Sequence, residues 1–172
     1  METGKLINTI KQDAINKGLC RLWQRKFKQG LEIKNLAEMF IKGIDFCICE
    51  NFPTVEFLEE NFKDKCELYG VFVNDHNVMC RDMPDVVLNG ECKAILEYNS
   101  YSVSRLYIRH NSEAHIKASD HAYVTVDAFN NSKLVIDTTD SKAVVLINLY
   151  GDSHVECIGM GIKVRFMNKE IY

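Results

Sequence analysis

AYVTVDAFNNSKLVIDTTDS, residues 122–141, reads as two ten-residue units in tandem, and the same unit can be followed outward in both directions. Upstream lie CKAILEYNSY (92–101), SVSRLYIRHN (102–111) and SEAHIKASDH (112–121). Downstream, after one extra residue at Lys142, come AVVLINLYGD (143–152) and SHVECIGMGI (153–162). The first position is small every time: Cys92, Ser102, Ser112, Ala122, Ser132, Ala143 and Ser153. The third runs Ala94, Ser104, Ala114, Val124, Leu134, Val145, Val155, and the fifth Leu96, Leu106, Ile116, Val126, Ile136, Ile147, Cys157. A fixed period decides the architecture before local propensity is weighed.

Odd positions in each unit are apolar or small and most even positions are polar or charged, the period-two pattern of a strand with one buried face. Each run ends in corner chemistry: Asn99-Ser100, His110-Asn111, Ser119-Asp120-His121, Asn130-Asn131, Thr139-Asp140-Ser141 and Gly151-Asp152. Asn, Asp and Gly tolerate positive φ or bond their own backbone, so they close tight turns. Two architectures satisfy this pattern, an antiparallel meander or sandwich and a β-solenoid with two units, roughly twenty residues, per coil. In the solenoid Glu97, Lys117 and Asp137 stack as a ladder of alternating sign and Glu113 sits over Lys133; in the meander Asp127 meets Lys133. Side-chain size favours the solenoid. Ala, Ser, Thr, Val and Ile dominate the inward positions, with no aromatic at the first, third or fifth, as a narrow stacked interior requires.

Runs such as AYVTVDAFNNSKLVID (122–137) and NLYGDSHVECIG (148–159) resemble the short right-handed β-helix domains of bacterial surface, phage and filament-forming proteins. The resemblance lies in the pattern, and no catalytic or binding residue is carried over by it. The six-residue period of hexapeptide acyltransferases and the Gly-Gly-x-Gly-x-Asp corners of calcium-binding nonapeptide repeats are both missing. The expected fold is α+β, a small helical region over 1–65 capping a β-solenoid over 66–172.

The helical expectation rests on 3.6-residue periodicity. Leu6, Ile7, Ile10, Ala14, Leu19, Leu22, Trp23 and Phe27 form one stripe over 4–29, with Gly18 as a break and Gly30 as a stop. A second run covers 31–44, and Thr54 caps a third helix, VEFLEENF. Between these helices and the repeat, GVFVNDHNVMC suggests a strand pair turning at 74–77, and DMPDVVLNGEC a further irregular coil closed by Asn89-Gly90.

Composition narrows the function classes. Of 172 residues 47% are hydrophobic and 26% charged, and the net charge is −3, too small to draw in nucleic acid or membrane through the whole-chain field. No apolar run approaches the ~20 residues needed to cross a bilayer. METGKLINTIKQDAINKG lacks the apolar core of a secretory signal. Seven cysteines, an odd number, do not read as a disulfide framework, so a reducing cytoplasm is expected.

Candidate chemistry is sparse. Arg21, Arg25, Lys26 and Lys28, interleaved with Trp23 and Phe27, form the densest basic cluster and a candidate nucleic-acid contact. Tyr98, Tyr101, Tyr123, Phe129 and Tyr150 stand at or beside corners and form the candidate partner or ligand surface. His110, His115, His121 and His154 have no ligand spacing for zinc, and no cofactor or metal is expected. Asp127 and Asp137 suggest a carboxylate pair in one groove, as in some β-helical glycosidases. The leading expectation is a non-enzymatic binding or assembly protein, homo-oligomeric or bound to a protein partner, with an accessory role in a phage or mobile element as one setting. A nucleic-acid-associated regulator is the alternative, and a carbohydrate-active β-helix a weaker one.

Overall fold

A computed structural model describes residues 2–139 and 142–172, and the side chains of residues 2 and 3 are left aside. Residues 1–69, with Tyr172, form one compact unit and residues 70–171 a second. The first unit is helical: α1 (Glu2–Asn16), α2 (Arg21–Gln24), α3 (Ile33–Lys42), α4 (Ile44–Cys49) and α5 (Val55–Phe62), then a 3₁₀ turn at Glu67–Tyr69. Gly18, at φ 91°, takes the left-handed conformation that ends α1, so the 4–29 stripe does not continue through one helix. The break expected at Gly18 is thus present, and Leu22, assigned to the stripe by spacing, is exposed beyond it. Thr54 caps α5 as its chemistry predicts, its Oγ1 accepting from the Phe57 N–H at 3.3 Å. The α4 helix, IDFCIC, was not anticipated; Gly43 separates it from α3.

The second unit is a right-handed parallel β-helix. Its strands are β1 (Val71–Val73), β2 (Val78–Arg81), β3 (Asp85–Asn89), β4 (Lys93–Tyr98), β5 (Val103–Ile108), β6 (Glu113–Ala118), β7 (Tyr123–Ala128), β8 (Lys133–Thr138), β9 (Val144–Leu149), β10 (His154–Gly159) and β11 (Ile162–Phe166). They alternate between two parallel sheets, ordered β1-β3-β5-β7-β9-β11 and β10-β8-β6-β4-β2. Strands joined by a corner therefore never pair with each other, which removes the meander and corrects the expected β1–β2 strand pair. Instead β1 pairs with β3 and β2 with β4.

Register follows the repeat. Leu96 stacks on Ile116 and Ile116 on Ile136, twenty residues apart in both steps. Lys142 lengthens one coil, so Val126 meets Ile147. These odd-position side chains fill the interior: Leu96, Ile116, Val126, Ile136 and Ile147 are all fully buried. The seventh position points inward as well, and in β4 it carries Tyr98.

Corners are tied coil to coil. Ser100, His110, Asp120 and Asn130 all have φ between 53° and 62°. The side chains of His110, Asp120 and Asn130 reach the preceding coil's backbone: the Gly90 N–H donates to His110 Nδ1 (3.1 Å), the Ser100 N–H to Asp120 Oδ2 (3.2 Å) and the His110 N–H to Asn130 Oδ1 (3.0 Å). One residue thus supplies both the turn conformation and a bond between coils.

Two interior substitutions should move stability in opposite directions. Ile116→Ala opens a cavity between two fully packed neighbours and should cost about 3–4 kcal/mol in urea unfolding. The Tyr98 hydroxyl lies buried with no hydrogen-bond partner among the described residues, so Tyr98→Phe should stabilise by about 1 kcal/mol.

Candidate binding face

The outer face of β2, β4, β6, β8 and β10 carries three columns of side chains, because equal registers align even positions along the solenoid axis. Met79, Ile95, His115, Val135 and Glu156 form the central column. On one side stand Lys93, Glu113, Lys133 and His154, and on the other Arg81, Glu97, Lys117, Asp137 and Ile158. The predicted ladders are therefore present. A groove of about 680 Å³ runs over the first two columns, with Met79, Ile95 and Val135 along its floor.

Both flanking columns contain paired charges. Glu113 lies between Lys133 (3.4 Å) and Lys93 (4.0 Å), and Arg81 Nη2 donates to Glu97 at 2.7 Å. The Arg81 hydrogen bond and charge hold the Glu97 carboxyl below its ordinary range. Asp137 is also lowered, chiefly by the Thr139 backbone N–H. These groups are solvated, so they fix side-chain direction more than they stabilise the fold.

The aromatic surface expected from the sequence divides in two. Tyr98 and Phe129 are each 1% exposed and Tyr150 is buried beside Phe129, so those three do not belong to a surface. Tyr98 is an inward strand residue. Phe129 and Tyr150 stack at 4.7 Å in a corner column that also contains Asn89 and the buried Arg109, whose Nη1 donates to Asn89 Oδ1 at 3.1 Å. Tyr101 and Tyr123 are exposed as predicted. Tyr101 stacks on His121 at 5.1 Å, and Tyr123 pairs with the exposed Val103 on the opposite sheet's outer face.

The remaining candidates are dispersed. Asp127 is on β7 and Asp137 on β8, in different sheets and on opposite outer faces, so they do not share a groove. Asp127 instead accepts from Asn148 Nδ2 at 2.6 Å. Among the described residues no three His, Cys, Asp or Glu side chains converge as metal ligands would. All seven cysteines are thiols, and burial pushes that of Cys66 up to about 12.

In the helical unit, Arg21 and Arg25 line a hollow with Lys11 and Phe27, while Lys28 borders a second hollow that shares Lys11 and Phe27. Lys26 lies 3.7 Å over the Trp23 ring. Only Arg21 falls within α2, so the four cations do not form one helix face. No helix among the described residues is long and apolar enough to cross a membrane.

Sequence reasoning did not single out Met79, Ile95 and Val135 as a surface column, since Ile95 and Val135 are ordinary even-position residues in their units and Met79 lies in the irregular stretch before the repeat. The alignment of β2 with β4, sixteen residues apart, was the missing signal. Compared with protein-family models, with curated proteins and with solved structures, the chain finds no match.

Because Glu97 is lowered in the folded state, its contribution is present at neutral pH and is lost as pH falls through the carboxylate range. Glu97→Gln should therefore lower the urea midpoint slightly at pH 7, and the difference from wild type should vanish near pH 3. Raising the salt should shrink the pH 7 difference.

Proposed function

We propose that this β-helix is a non-enzymatic platform that docks a protein partner on the charge-flanked groove of its β2–β4–β6–β8–β10 face. The observation that carries the reading is the central column, in which Met79, Ile95 and Val135 are apolar and His115 sits between the last two, set between two columns of alternating charge. An apolar centre rimmed by polar groups is how interfaces exclude water while keeping specificity at their edges. Strand positions also hold the contacting side chains in fixed rows about 4.8 Å apart, so little ordering entropy is lost on binding. A reducing, cytoplasmic setting belongs to this reading and is supported by the seven thiols, with Cys47, Cys66 and Cys92 buried. An accessory role in a phage or mobile element is the setting that fold and size suggest by analogy.

A photo-crosslinking residue at Ile95, compared with one at Leu146 on the opposite sheet, tests the platform in cells. A discrete protein adduct should form from position 95 and not from 146. The partner recovered should bind the purified chain at least about tenfold more weakly after Met79→Glu. Equal adducts from both positions, or none, would refute the groove.

A second reading uses the helical unit. Among the described residues Arg21, Arg25, Lys26 and Lys28 form no salt bridge, which leaves their charge available to phosphates. On this reading the chain elutes with a high 260/280 nm ratio at low salt. The ratio falls at high salt, and reversal of the four charges abolishes it. A ratio typical of protein at both salts removes it.

A further inference from the structure

We propose that the C-terminal coil is a dimerisation surface whose occupant is the same coil of a second copy, placed so that β10 of each protomer pairs antiparallel with β11 of the other. The inference concerns the open edge of the last coil, which shares only His154, Val155 and Glu156 with the lining of the groove, and it does not require the platform reading.

The two ends of the β-helix differ. Val71, Phe72 and Val73 of β1 are all buried. At the other end β10 and β11 are the edge strands of their sheets. Interior columns that are closed in earlier coils lie open there. Cys157 continues the column of Leu96, Ile116 and Ile136 yet is exposed, and Phe166, stacked on Leu149, is 73% exposed. Val155, Ile162 and Val164 are only partly covered. Such an edge presents a row of backbone donors and acceptors above an apolar layer, a template for another strand pair.

Symmetry limits what can occupy it. Because β1 at the first coil is buried, head-to-tail stacking lacks a matching pair of open edges, and a contact between two C-terminal ends closes as a two-fold dimer. Two such dimers are conceivable, like strand on like or β10 on β11. A coil rises about 4.8 Å per turn, so the two edges are offset by roughly half of that. Pairing like with like would put one strand pair at hydrogen-bonding distance and the other about 5 Å further apart. Pairing β10 with the partner's β11 sets both at one spacing.

Charge selects the same arrangement. The outward residues of β10 include Glu156, and those of β11 are Lys163 and Arg165. With Cys157 opposite the partner's Val164, inward residues face inward residues, and Val155 meets the partner's Phe166. Glu156 then lies opposite the partner's Arg165 and diagonal to the partner's Lys163, within reach of both. Pairing β11 with β11 would set Lys163 and Arg165 against their own kind.

Light scattering of the whole chain should give twice 19.8 kDa. Glu156→Arg alone and Arg165→Glu alone change exposed side chains and should each weaken dimerisation at least about tenfold, with an unchanged circular dichroism spectrum. Mixed in equal amounts, the two variants should form a heterodimer, because both strand pairs of the mixed dimer again join opposite charges. A monomeric wild type, open-ended filaments, or a mixture that stays monomeric would each overturn the proposal.

Discussion

Everything in the β-helix depends on the narrowness of the space between its two parallel sheets. Each coil has only a few inward positions, and these must stack on the same positions of the coils above and below. A side chain that is too large disrupts three coils at once. One that is too small leaves a void that neighbours held by backbone ladders cannot close. This explains the run of Ala, Val, Leu and Ile at the third and fifth positions, and the fully buried Ser104 and Ser132. Tyr98 is the exception. It is tolerated where its partner along the column is Ala118, a large side chain set against a small one.

The same registry organises the exterior. Once inward residues are locked in step, outward ones line up in columns whether or not they were selected to do so. Like charges in a column would repel at strand spacing, and the columns beside the groove alternate in sign where they carry charge. The central column between them is therefore flanked by charges of alternating sign, among them the pairs Arg81–Glu97 and Lys133–Glu113. The helical unit is built differently, with caps and glycine breaks in place of registry; Lys42 and Lys63 pair with Glu38 and Glu59, while Arg21, Arg25, Lys26 and Lys28 form no salt bridge among the described residues.

Much of the fold was legible because a buried strand and a tight corner leave strong local marks. Alternation gave the strands, Asn and Asp gave the corners, and small inward side chains favoured the solenoid whose twenty-residue register aligns Glu97, Lys117 and Asp137. The surface was harder to read. The ten-residue unit suggests that all corners are alike, which makes Phe129 and Tyr150 look like exposed tips. The eighth positions in fact form two classes. Asn89, Arg109, Phe129 and Tyr150 are buried in one corner column, while Asn99, Ser119 and Thr139 on the other side remain open to solvent. That alternation of large with small was present in the sequence, but averaging over ten residues concealed it. In the helical unit the break at Gly18 was legible, but the apolar spacing carried past it and assigned Leu22 to a stripe that the turned backbone leaves in solvent.

Since the two corner columns differ, the unit of growth for this chain is the full coil of twenty residues and not the ten-residue segment that the eye first picks out. Duplicating or losing a whole coil keeps every downstream strand in its own sheet and every corner residue in its own column, and changes only the length of the rod. A change of ten residues preserves inside and outside along each strand but exchanges the two faces from that point on, carrying Arg109 or Phe129 out of its buried column to the corner that is open to solvent. The single residue Lys142 lies between these cases, absorbed by one corner with the strands on either side still in step. Length variation in such a chain is therefore quantised, and the rows of the outer faces lengthen or shorten as whole steps of the same ladder.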